Sequence, residues 1–76
     1  MKELLENIAQ SLVDNPDDVI VDETVNDNGT LLELRVAAAD MGKIIGKQGR
    51  IAKAIRTVVK AVASKEDKKV RVDIVD

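Results

Sequence analysis

Gly46 and Gly49 stand three residues apart around Lys47 and Gln48, with Lys43 shortly before the pair and Arg50 directly after it. Glycines at that spacing let the chain turn sharply, and they let another backbone come close because no β-carbon stands in the way. Where such a turn leads into a helix, the first free amides and the helix dipole together favour an anion. Lys43, Lys47 and Arg50 add attraction at longer range. The chemistry these residues suit is the holding of a phosphate chain, not the making or breaking of bonds. The same spacing also serves a plain helix C-cap glycine followed by a tight turn, and so short a motif recurs by accident.

The rest of the composition argues against catalysis. The 76 residues include no cysteine and no histidine, so the commonest nucleophile, the commonest general base and the usual zinc ligands are missing. Asp14, Asp17, Asp18, Asp22 and Glu23 cluster, but without the spacing of a calcium loop; they read as a solubilising surface that keeps a polyanion off the wrong face. "GKIIGKQG" matches neither phosphate-loop pattern of nucleotide-using enzymes, because its glycines fall at 42, 46 and 49 and Gln48 replaces the magnesium-binding hydroxyl. No catalytic residue, metal, cofactor or small-molecule substrate is expected. The missing cysteines fit a reducing cytosol. "MKELLENIAQ" is acidic and amphipathic, unlike a secretory signal, and no run reaches membrane-spanning length. The expectation is a cytoplasmic protein with no membrane partner.

A net charge of −2 conceals a sorted distribution. Met1 to Asp40 carries −8, Met41 to Lys65 carries +7 with no acidic residue at all, and Glu66 to Asp76 carries −1. A phosphate polymer responds to that local field, not to the sum. A solvated helix face would give the same run of charges.

These residues need elements to position them. Leu4, Leu5, Ile8, Leu12 and Val13 fall at helical spacing, and Asn15-Pro16 stops the pattern near Asp14. Val19 to Val25 is rich in β-branched residues and Thr30 to Val36 alternates. Asn28-Gly29 between them is a strong hairpin signal. A turn at those two residues sets Val25 opposite Leu32, Val21 opposite Val36 and Asp22 opposite Arg35. Asp40 is placed to accept from the first amides of a short helix, Met41 to Ile45, which Gly46 ends in a left-handed conformation. A longer helix follows from about Arg50 to Ala63. It gathers Ile51, Ile55, Val58, Val59 and Val62 on one face, and Arg50, Lys53, Arg56 and Lys60 on the other. Ser64 to Lys69 reads as a loop, and Val70 to Val75 as a last alternating strand with Val70, Val72 and Ile74 pointing one way. The order is α-β-β-α-α-β in a single domain spanning residues 1–76.

"KIIGKQGRIAKAI" within that order resembles the prokaryotic-type (type II) KH domain. The resemblance covers essentially the whole chain, and at this length it is closest to the small stand-alone bacterial KH-domain protein A family. It implies an α+β fold, a three-stranded sheet packed on one side by three helices. It implies single-stranded RNA as partner, its sugar-phosphate backbone clamped by the glycine loop. Carried over by position, the loop is Gly46, Lys47, Gln48 and Gly49. The apolar floor of the base-binding groove draws on Ile44, Ile45 and the start of the second helix. Lys43, Arg50 and Lys53 complete the expected RNA-binding set. Many KH domains place a bulky aliphatic residue three places after the second glycine; here that place is Ala52, and Ile51 comes one residue early. The family resemblance further implies an RNA chaperone or post-transcriptional regulator connected with cell shape and wall growth. It also implies pairing, as a homodimer or with a larger KH-containing protein.

The absence of any aromatic residue fits this reading. Domains that stack bases on Phe, Tyr or Trp need rings that the chain lacks, whereas bases can lie on aliphatic side chains in a KH groove. Two other readings stay open. One is a protein-interaction module docking through Ala54, Ala61 and Val62. A globule this small hides only about 60 % of the surface its unfolded chain exposes, which favours pairing with another chain. The other is a DNA-reading helix-turn-helix, although its first helix would be short and its second lacks an adenine-reading Asn or Gln.

Overall fold

A computed structural model describes residues 1–46 and 49–75 of the chain. The elements are α1 (Lys2–Leu12), β1 (Ile20–Asn26), β2 (Gly29–Arg35), α2 (Met41–Ile45), α3 (Arg50–Lys65) and β3 (Val70–Ile74), with short 3-10 turns at Pro16–Asp18 and Ala38–Asp40. This is the α-β-β-α-α-β order that the sequence predicts. The strands form one sheet in the order β1-β2-β3, the first pair antiparallel and the second parallel. Parallel pairing of β2 with β3 requires a long crossover, and α2 with α3 supplies it.

Strand alternation decides which side of the sheet is covered. Val21, Leu32, Leu34 and Val72 share one face and are buried with Leu5 and Ala9 of α1, Ile44 of α2, and Ile55 and Val59 of α3. The three helices therefore pack on one side, as expected of a type II KH fold, and Val70 and Ile74 lie partly buried against the same core.

The hairpin forms with a different register from the expected one. Val25 faces Thr30, Val21 faces Leu34 and Asp22 faces Glu33, so the two-residue turn is Asp27-Asn28. Asn26 closes it locally, its Oδ1 accepting from the Asn28 amide at 2.8 Å. Gly29 belongs to the strand instead. Its φ is +130°, and a β-carbon there would lie 2.6 Å from the Lys69 carbonyl oxygen, which accepts from the Thr30 amide at 2.9 Å. The glycine is needed where the approach to β3 crosses it, and that requirement moves the turn back by one residue. Each partner shifts by two, so the apolar set stays on the covered face. The expected Asp22–Arg35 pair is replaced by two carboxylates side by side.

The α3 face is also rotated from its expected position. Ala52, Ile55, Val59 and Ala63 are buried, whereas Val58 is 45 % exposed. Small residues at 52 and 63 allow the helix to lie close on its neighbours.

Candidate nucleic-acid interface

The site is assembled at the junction of α2 and α3. Ile44 is fully buried in the core and pins α2 from beneath, while Ile45, the next residue, is 45 % exposed. Of the two isoleucines expected in a groove floor, only Ile45 therefore offers surface; Ile44 acts as an anchor, because the buried face of so short a helix is a single residue wide. Gly46 ends α2, its amide donating to the Gly42 carbonyl at 2.8 Å. Its φ of +61° agrees with expectation, but its ψ of −170° is extended and directs the chain away from the helix, not into a left-handed cap. Lys47 and Gln48 lie outside the described residues. The chain returns at Gly49, left-handed at φ +70° and ψ +18°, as the N-cap of α3.

That cap has electrostatic consequences. Glycine offers no side-chain acceptor, among the described residues no side chain caps the helix, and the first turn of α3 holds no acidic residue. The positive end of this 16-residue helix therefore has no carboxylate of its own first turn beside it. Arg50 and Lys53 are exposed on the same turn and have no carboxylate partner among the described residues. A β-carbon on Gly46 would come within 3.1 Å of the Ile51 Cγ1, so Ile51 packs against Gly46 from its place one residue ahead of the usual bulky position, and Ala52 packs into the core.

Lys43 is held differently from the other cations. Its Nζ pairs with the Asp14 carboxylate, across from α2 on the segment that follows α1. Asp14 is itself fixed by Asp40. Asp40 is buried, and its carboxylate accepts from the amides of Asp14 at 3.2 Å and Asn15 at 3.0 Å, and from Asn15 Nδ2 at 3.0 Å. The expected capping of α2 by Asp40 does not occur. The turn Ala38–Asp40 runs straight into α2 and already gives the Asp40 and Met41 amides backbone acceptors, which frees the carboxylate to reach the other segment. Burial works to raise the Asp40 pKa, but the hydrogen bonds from Asn15 and from the Asp14 and Asn15 amides, with Lys43 nearby, outweigh it and hold the group below the ordinary carboxylate value.

The stripe Lys53, Arg56 and Lys60 divides. Lys53 and Lys60 project into solvent, whereas Arg56 turns its Nε to the Val72 carbonyl at 3.1 Å and ties α3 to β3. Sequence reasoning missed a groove of about 280 Å³ between α1 and α3, lined by Ile8, Leu12, Ile51, Ala54 and Val58 with Arg50 among them. Its signal was the apolar stripe of α1, which is wider than the core contact uses. A more polar hollow lies between the hairpin turn and Lys69. It sits beyond the far end of α3, about 24 Å of helix from the glycines. Among the described residues no cluster of potential metal ligands occurs, and no helix is long and apolar enough to cross a membrane.

With this geometry established, comparison with known proteins identifies the family. The model of the KhpA/KhpB KH domain matches residues 2–74. The chain belongs to the KhpA/KhpB KH-domain family. It is 65 % identical to "RNA-binding protein KhpA" of Clostridium perfringens, over 99 % of this chain and the whole of that one. It is 51 % identical to the protein of the same name from Listeria monocytogenes, over the full length of both. Among solved structures, a variant of Aquifex aeolicus Era bound to GDP and aluminium fluoride superposes with a TM-score of 0.63 at 21 % identity, covering 96 % of this chain and 28 % of that one. That likeness is one of fold: the KhpA/KhpB KH domain corresponds to about a quarter of the larger chain.

Proposed function

We propose that this KH domain binds single-stranded RNA, with the segment Gly46–Gly49 against the sugar-phosphate backbone. The observation that carries the reading is the start of α3: an uncapped positive helix end, approached through a left-handed glycine, with Arg50 and Lys53 exposed and unpaired among the described residues. The names of its relatives support it. In this reading Gly46 and Gly49 allow the strand to come close. Lys43, Lys47, Gln48, Arg50 and Lys53 contact or attract phosphates. Ile45 offers an aliphatic surface to a base, held in place by Ile44. The family resemblance supports a cytoplasmic RNA chaperone or post-transcriptional regulator, connected with cell shape and wall growth, rather than an enzyme.

Competition between a single-stranded RNA and a duplex DNA of equal length tests this. The single strand is expected to win, with affinity falling as salt rises. A Lys47→Asp, Gln48→Asp variant that keeps its fold should lose binding; if it binds RNA as well as the parent does, the reading fails.

A second activity is favoured by the groove between α1 and α3. Leu12 and Val58 leave apolar surface exposed there. Pairing with another copy, or with a larger KH-containing protein, would cover it. Sedimentation of the parent beside a Val58→Asp variant tests the homodimer, which should dissociate in the variant.

A further inference from the structure

Met41 to Lys65 holds no acidic residue, yet the fold brings a carboxylate to one of its cations. Asp14, 29 residues earlier in the chain, pairs with the Nζ of Lys43. Among the described residues, Lys43 is the one cation of the proposed RNA-binding set with a carboxylate partner.

Asp14 does not serve α1. It stands just past the end of that helix, whose last turn holds no basic residue, and a negative charge beside a helix C-terminus opposes the dipole. Nor does the Asp40 link use its side chain. Asp40 accepts from the Asp14 backbone amide at 3.2 Å, and Lys43 is the only partner of the Asp14 carboxylate among the described residues. That amide contact, with those from Asn15, fixes the segment carrying Asp14 to the residue that precedes α2. One partner of the ion pair is thus mounted on backbone held by a buried group.

The Lys43 and Asp14 side chains are 47 % and 73 % exposed, and so open a pair adds little to stability. Its consequence for a polyanion is more direct. A carboxylate and a phosphate compete for the same ammonium, and a lysine already neutralised contributes less to the counterion release that drives binding.

We propose that Asp14 is a built-in competitor of the RNA backbone: its carboxylate holds the Lys43 ammonium in the RNA-free protein and yields it to a phosphate in the complex, which sets the affinity below what the cations around the loop would otherwise give. This rests on the RNA reading above and adds to its site a residue that tunes the strength of binding.

The test uses Asp14→Asn, Lys43→Gln and the two together in the full chain, beside the Lys47→Asp, Gln48→Asp variant, with a fluorescein-labelled 12-nucleotide single-stranded RNA of mixed sequence as probe. Asparagine keeps the amide from which Asp40 accepts, so Asp14→Asn is expected to melt no lower than the parent. It should bind RNA about threefold more tightly at low salt, the scale of one exposed ion pair, and the gain should shrink as salt rises. Where Lys43→Gln is already present, adding Asp14→Asn should bring no such gain, because no ammonium is left to compete for. An equal gain in both backgrounds would mean that Asp14 acts by plain repulsion of the strand, and overturns the competition. If the parent binds, the loop variant does not, and Asp14→Asn binds no better than the parent, the competition is overturned while the RNA reading survives. A lower melting temperature for Asp14→Asn overturns the premise that the fold does not need the carboxylate. If the parent binds no RNA, the reading itself falls and this role with it.

Discussion

Asn15 donates twice to one oxygen of Asp40, from its backbone amide and from its side-chain Nδ2, both at 3.0 Å. The two residues are 25 apart in sequence, and the link fastens the end of α1 to the start of α2 through a carboxylate that water barely reaches. A buried carboxylate satisfied by three donors stabilises the fold only while it is charged. Its pKa is held below the ordinary value in the folded chain. The stability it contributes is therefore fully present above about pH 4, where the unfolded group also ionises, and is lost as pH falls through the folded value. Asp40→Asn should melt well below the parent at pH 7, and the gap between the two should narrow as the pH is lowered past 4. Thermal unfolding of both proteins from pH 7 to pH 2 checks this.

The four glycines should rank by what a β-carbon would meet. Gly42→Ala should stabilise, by up to about 1 kcal/mol from helix preference alone. Gly49→Ala has open space but a left-handed backbone, for a cost of about 1 kcal/mol. Gly46→Ala adds the Ile51 side chain at 3.1 Å to a φ of +61° and should cost more. Gly29→Ala would force a β-carbon to 2.6 Å from a backbone oxygen that cannot withdraw without breaking the Thr30–Lys69 hydrogen bond. It should be the worst, at about 3 kcal/mol or more. Urea unfolding of the four variants gives the order directly.

The features legible in the sequence are those set by near neighbours. The period of α1, the stop at Asn15-Pro16, the short α2 between Asp40 and Gly46, and the alternation of β2 and β3 all depend on residues within a turn or two. What was not legible depends on partners far along the chain. Gly29 looks like a turn residue until Lys69 is placed against it, and Asp40 looks like a cap until the 14–15 segment arrives. The rotation of α3 has the same origin. Counting apolar bulk favours Val58 and Val62, but close packing selects Ala52 and Ala63. At the site, the two glycines and the cations were visible as types, whereas the burial of Ile44, the ion pair on Lys43 and the use of Arg56 as a strut required the fold.

The open face of the sheet carries a row of like charges. Asp22 pairs with Glu33, and Glu33 with Asp73, so three carboxylates lie abreast across three strands. Only Asp73 has a cationic partner among the described residues, Arg71 at 3.3 Å. Like charges directly opposite one another destabilise a sheet by roughly 0.2–1 kcal/mol per pair. Glu33→Lys reverses both contacts at the central strand and should raise stability by about 1 kcal/mol, less at high salt. Unfolding in 20 mM and 500 mM salt, two conditions on the order of 20 and 4 Å in screening length, should show the gain shrinking. An equal gain in both would mean that side-chain packing, not charge, is responsible.

Arg50 and Arg56 lie less than two turns apart on α3 and should nonetheless fail differently. Arg56 donates its Nε to the Val72 carbonyl, closing α3 onto β3. Arg56→Gln removes a donor to a strand carbonyl and should cost about 1 kcal/mol of stability, with little change in the salt dependence of RNA binding. Arg50 has no such partner among the described residues and stands at the uncapped end of α3. Arg50→Gln should leave the melting temperature near that of the parent. If Arg50 neutralises one phosphate, its loss should reduce the slope of log affinity against log salt by about 1. Measuring both variants by both methods separates a strut from a phosphate ligand. A lowered slope for Arg56→Gln at unchanged stability would place Arg56 on the RNA and the Val72 hydrogen bond among the incidental contacts.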